Sequence, residues 1–155
     1  MIFLALILLG LFIVFSDQLS KQLVEKYLYL GQSIPVVPEI FHITLLRNPG
    51  ALFGFMPGGR WIFIIVTLVS LAIMALLMIE IPRDKLYMRL GMTLIIGGAL
   101  GNLIDRIRFG YVIDFIDFRF WPVFNIADTV LCLGAVFFLF EYITSSLKND
   151  QSGGL

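Results

Sequence analysis

Apolar residues fill this chain in four long runs, and the prolines, glycines and charges concentrate between them. The first run begins at Met1 and meets no charge before Asp17; Leu19 and Leu23 extend a helical stripe beyond it, which predicts a membrane span over about 1–23. No Lys or Arg precedes this run and no Ala-x-Ala-like site follows it, so it reads as a retained span rather than a cleaved leader. The second run, 61–79, would rise roughly 28 Å as a helix, close to the hydrocarbon thickness of a bilayer. A third, 86–104, is interrupted only by Arg89, whose aliphatic stem can carry its charge to the interface. The fourth, 122–140, is interrupted only by Asp128. Four spans put both termini on one side of the membrane.

The stretch 31–59 differs in kind. It carries four prolines, several glycines and the β-like segment Phe41-His42-Ile43-Thr44-Leu45, and it predicts a small β-rich element on the membrane surface between helices 1 and 2. The expected fold is therefore an all-α membrane protein of four transmembrane helices with that element attached. Residues 1–155 read as a single integral membrane domain, with a short polar tail over 148–155.

Composition strengthens this reading. A chain of 155 residues with 59% hydrophobic and 14% charged residues holds more apolar surface than a soluble domain of that size can bury. Zero net charge excludes a basic field for nucleic acid, so no nucleic-acid partner is expected. Cys132 is the sole cysteine, which rules out a disulfide within the chain and marks it as a small buried apolar residue. His42, the sole histidine, is expected at the surface or in a hydrogen bond rather than on a metal. Trp61 and Trp121 fall at span ends, where interfacial anchors sit. Gly97 and Gly101, with Gly98 and Ala99 between them, would let spans approach closely.

Alternating spans bring Asp17, Lys21, Asn48, Asn102, Asp105, Arg106, Asp114, Asn125 and Asp128 to one face. Ionisable groups near lipid are costly, so this concentration points to chemistry or transport. The same face carries seven Lys and Arg (Lys21, Lys26, Arg47, Arg60, Arg106, Arg108, Arg119) against four elsewhere (Arg83, Lys85, Arg89, Lys148), a count that by itself would place it in the cytoplasm.

Asn125 stands where a helix N-cap is expected, with Asp128 in the first turn, a place that favours negative charge. Asp105 ends the third span, where the helix dipole opposes an anion, so it is expected to pair with a cation such as Arg106 or Arg108. Asp114 lies among Val112, Ile113, Phe115 and Ile116 with no adjacent cation, a setting that raises a carboxyl pKa and suits a proton donor. Asp117 is expected to be solvated or capping. Two carboxylates in contrasting settings can run acid and base chemistry on water, as in an aspartic protease. Two other readings use the same residues. A small proton-coupled transporter could use Asp105, Asp114 and Asp128 as a relay, although 61–79 offers only Thr67 and Ser70 as polar lining. A Mg²⁺-dependent lipid phosphotransferase could hold its cation on the three carboxylates, although no phosphate-cradling glycine loop accompanies them.

The motifs are more specific. Asp17-Gln18-Leu19-Ser20-Lys21, Arg47-Asn48-Pro49-Gly50-Ala51, the run from Gly97 through Asn102 and Asp105 to Arg106, Gly110-Tyr111-Val112-Ile113-Asp114-Phe115-Ile116-Asp117 and Phe124-Asn125-Ile126-Ala127-Asp128 follow one another along the chain. In them the chain resembles the bacterial lipoprotein signal peptidases (signal peptidase II). The resemblance implies an aspartic endopeptidase that removes signal peptides from diacylglyceryl-modified prolipoproteins, cutting just before the lipidated cysteine. It implies Asp114 and Asp128 as the catalytic dyad, Asn48, Asn102, Arg106 and Asn125 as substrate-binding residues, and Asp17, Lys21 and Asp105 as structural support, with no metal and no cofactor. It also implies a monomer among membrane lipids in the cell (inner) membrane, with both termini cytoplasmic and the site and β-rich element at the outer face, against the charge count. Ser20, Leu52 and Ile113 depart conservatively from the family pattern, and 114–128 is a few residues shorter than in many relatives.

Overall fold

The computed structural model describes residues 2–50 and 59–152, with side chains as far as 147. Its elements are α1 (Ile2–Tyr27), β1 (Ser33–Val37), β2 (Phe41–Asn48), α2 (Arg60–Glu80), α3 (Leu86–Arg108), β3 (Val112–Asp117) and α4 (Ile126–Ser152). All four helices are long and apolar enough to cross a membrane. Residues 51–58, including Ala51 and Leu52 of the expected surface element, lie outside the described residues.

The bundle is built around α3. Half of its span (50%) is buried inside the protein, against 6% for α2, whose Trp61, Ile62, Ile65 and Leu76 point outward. This asymmetry follows from composition: α3 is the least apolar of the four spans and carries the glycines, whereas α2 is uniformly aliphatic and can face lipid. The α3–α4 contact is close because small residues meet there. A Cβ built on Gly98 would stand 2.5 Å from the backbone oxygen of Ala127, so only hydrogen fits at that position. Gly97 and Gly101 turn instead toward Ile13 and Asp17 of α1.

The β-rich element is a three-stranded antiparallel sheet in the order β1-β2-β3. Two strands come from the expected stretch between α1 and α2. The third is the segment that carries Asp114, between the third and fourth apolar runs, where no strand is predicted. Pairing with β2 turns it into a strand, with Leu46 opposite Asp114 and Asn48 opposite Val112. Its β-branched and aromatic residues Val112, Ile113 and Phe115 supply the burial that holds it there. The turn from α3 into β3 is tight. Gly110, at φ +84°, donates its N–H to the Arg106 carbonyl at 3.1 Å and closes the helix in an αL cap.

The apolar run from Pro122 does not enter α4 at once. Phe124 first bridges to Ile116, and the helix starts at Ile126 behind Asn125; Cys132, expected to be buried, is exposed on the apolar α4. The last turns of α1 and α3, the first turn of α4 and the sheet thus meet at one end of the bundle, opposite Ile2 and the end of α4.

Candidate active site

Beneath the site lies a buried ionic cluster. Lys21 Nζ is 2.8 Å from Asp17 Oδ2 and 2.8 Å from Asp105 Oδ2, and it donates to Asn102 Oδ1 at 3.1 Å. Lysine has three N–H donors, and here three oxygens receive them. Asp17, Lys21 and Asp105 are each 1% exposed or less. The remaining carboxylate oxygens are also used. Asp17 Oδ1 accepts the Ala127 N–H at 2.9 Å, Asp105 Oδ1 accepts from Gln18 Nε2 at 2.8 Å, and Asp105 Oδ2 also accepts the Ile113 N–H at 3.2 Å. One cation and two anions thereby tie α1, α3, β3 and α4 together.

Asp105 is therefore an ion-pair member, but its cation is Lys21 rather than Arg106 or Arg108. The correction has a geometric reason: side chains four apart on α1 place Asp17 and Lys21 together on the face that meets α3, whereas Arg106 reaches the Asn102 carbonyl at 3.4 Å and lies over the Phe63 ring. Gln18 was not singled out from the sequence, since a glutamine in an apolar helix signals nothing until its partner is known.

Above this cluster sit Asp114 and Asp128, joined through Asn125. Asn125 Nδ2 donates to Asp114 Oδ1 at 2.6 Å; its backbone N–H donates to Asp128 Oδ2 at 3.3 Å, and its Oδ1 accepts the Asp128 N–H at 2.9 Å. Asn102 Nδ2 donates to Asp128 Oδ1 at 2.8 Å, and Asn48 Nδ2 donates to Asp114 Oδ2 at 3.0 Å. Every carboxylate oxygen thus has a donor. The two acids differ in burial: Asp114 is 3% exposed, while Asp128 is half-buried. Burial pushes the Asp114 carboxyl up to about 6, and the nearby Asp128 charge adds to the rise against the opposing Asn48 and Asn125 hydrogen bonds.

Of the four residues expected to bind substrate, Asn102 and Asn125 are buried behind the carboxylates, Asn125 with no exposed surface. Asn48 is exposed and Arg106 half-buried, within electrostatic reach of both acids. Asp117, expected to be solvated or capping, is 4% exposed. Strand alternation turns it away from Asp114. Burial would raise its carboxyl, but the Thr44 hydroxyl at 2.7 Å and the Arg119 N–H and guanidinium outweigh that and hold it below the usual range.

Comparison with known proteins decides what kind of protein carries this geometry. Residues 9–144 match the family model for signal peptidase (SPase) II. The chain belongs to the signal peptidase II family. It is 46% identical over 125 residues to a lipoprotein signal peptidase of Halothermothrix orenii, covering 81% of this chain and 86% of that one. It is 41% identical over 137 residues to one of Moorella thermoacetica, covering 88% and 91%. A bacterial membrane enzyme solved by the in meso method at 2.3 Å superposes with a TM-score of 0.83 at 34% identity, covering 97% of this chain and 92% of the other. A second such structure, at 1.9 Å, also gives 0.83 at 35% identity, covering 88% and 90%. The chain is thus a multi-pass membrane peptidase, a hydrolase. The signal peptidase II match begins inside α1 and ends inside α4, so Asp17, Asp105, Asp114 and Asp128 all fall within it.

Proposed function

We propose that this peptidase removes signal peptides from diacylglyceryl-modified bacterial prolipoproteins, cutting before the lipidated cysteine, with Asp114 and Asp128 as its catalytic dyad. The observation that carries the reading is Asn125, one fully buried residue whose side-chain amide holds the Asp114 carboxylate and whose backbone N–H holds that of the half-buried Asp128. Asp128, ionised, takes a proton from a water molecule as its oxygen attacks the scissile carbonyl. Asp114, protonated, donates a hydrogen bond to that carbonyl oxygen, and a proton then passes to the leaving amine. Asn48 and Arg106, the more exposed polar neighbours of the acids, contact substrate, and Asn102 and Asn125 act through the carboxylates they hold. Asp17, Lys21 and Asp105 support this floor.

The transporter and phosphotransferase readings both need Asp105 to join the other two acids, and the Lys21 ion pair holds it in the cluster below. In the same proposal the enzyme acts as a monomer among lipids of the cell (inner) membrane, with both termini in the cytoplasm and the site at the outer face. Ion pairing narrows the charge imbalance that argues otherwise: Lys21, Arg47 and Arg119 are paired on the site face and Lys85 on the other.

The test is cleavage of a diacylglyceryl-modified prolipoprotein in detergent, with and without EDTA. Asp114→Asn and Asp128→Asn should each lose on the order of 10²-fold or more, with EDTA without effect. Metal-dependent cleavage, or near-wild-type activity in either variant, would sink the dyad.

A further inference from the structure

At the end of the bundle opposite the carboxylates, a groove of about 780 Å³ opens between α1 and α2. Both helices pack on α3 with little contact between themselves, so α3 forms the groove floor. One wall runs along α1 from Phe3 to Val14 and the floor along α3 from Arg89 to Leu100, each about 16 Å long at 1.5 Å per residue. This matches half of the roughly 30 Å hydrocarbon core, the depth of one leaflet. The lining is mainly aliphatic, and among its described residues the charged ones, Arg83, Arg89 and the single acid Glu80, all come from the end of α2, the turn after it and the first turn of α3, so they gather at one mouth. Among the described residues neither arginine is in an ion pair; Arg83 is exposed, and Arg89 spends one donor on the Ile81 carbonyl at 3.2 Å.

We propose that this groove binds one anionic glycerophospholipid, its headgroup phosphate at Arg83 and Arg89 and an acyl chain along α1 and α3. A basic mouth on an apolar slot one leaflet deep fits this chemistry. It fits the signal peptide of a substrate less well: that segment would have to span the whole membrane, and its positively charged leading end would meet the two arginines. The site is separate from the carboxylates, and the inference does not depend on the peptidase mechanism.

Native mass spectrometry of the full chain, delipidated in non-ionic detergent and offered equal dioleoylphosphatidylglycerol and dioleoylphosphatidylcholine, reads the occupant directly. One phosphatidylglycerol should be retained roughly tenfold over phosphatidylcholine. Arg83→Gln and Arg89→Gln should reduce that preference several-fold, and Glu80→Gln should increase it. Among the described residues no hydrogen bond or ion pair uses the Arg83 side chain, so its variant tests the headgroup site even if Arg89→Gln loosens the turn. Equal retention of the two lipids, or an unchanged ratio in Arg83→Gln, overturns the proposal. A photo-crosslinking side chain at Ile7 should capture phospholipid; capture of a prolipoprotein signal peptide or a second copy of the chain overturns it as well.

Discussion

Asn125 and Asp128 cap each other. The Asn125 side-chain oxygen accepts the Asp128 N–H at 2.9 Å while an Asp128 carboxylate oxygen accepts the Asn125 N–H at 3.3 Å, a reciprocal box at the first turn of α4. The residue proposed as general base is thus also part of the helix start. Two variants should separate these roles. Asp128→Asn keeps an oxygen that can accept the Asn125 N–H but turns its amide N–H toward Asn102 Nδ2, so it should lower the thermal midpoint in detergent less than removal of the cap does, while cleavage is lost. Asn125→Ala removes the cap and the Asp114 bond together, and should lower stability by about 1–2 kcal/mol as well as abolish cleavage. A well-folded, active Asn125→Ala protein would disprove the coupling.

Asp114 makes the reaction pH-dependent. Its carboxyl is raised from the ordinary 3.8 to about 6, so the neutral acid needed as donor is present below pH 6 and disappears above it. The kcat/KM profile should therefore fall on the alkaline side with an apparent pKa near 6 that belongs to the pair of acids. The same shift is linked to stability. The contribution of a raised carboxyl is complete below about pH 4 and is lost as pH rises through 6. Asp114→Asn cannot ionise, but its amide nitrogen must face the Asn48 or the Asn125 donor at a cost independent of pH, so its thermal midpoint relative to wild type should be higher at pH 8 than at pH 4. An equal difference at both values would rule out this cause.

Lys21 neutralises two buried carboxylates. Lys21→Met preserves much of the volume but leaves Asp17 and Asp105 facing each other without a cation, at a cost of about 3–5 kcal/mol. Thermal unfolding should show this loss, and Lys21→Met combined with Asp105→Asn should recover part of it. No recovery in the double variant would mean that Lys21 acts by packing alone.

Gly101 leaves room for Asp17. A Cβ there would come within 2.6 Å of the Asp17 carboxylate, which is itself fixed by Lys21 and the Ala127 N–H. Gly101→Ala should destabilise the protein by about 1–3 kcal/mol and reduce cleavage by disturbing the start of α4. An Ala variant with a wild-type midpoint would show that the cluster can shift at no cost.

Much of this was written in local sequence. Four helical runs of bilayer length, the Asn125 cap and the apolar flanks of Asp114 all depend on neighbours a few residues away, so periodicity and composition expose them. Local pattern could not reveal partners distant along the chain. That Lys21 serves Asp105, that residues 112–117 complete a sheet begun at Ser33, and that Asn48 reaches Asp114 across 66 positions are decided only when α1, β2, α3 and α4 close on one another. A buried ion is tolerated only where its counter-charge is brought to it, so the sequence determined which residues need partners and the tertiary packing decided which partners they have.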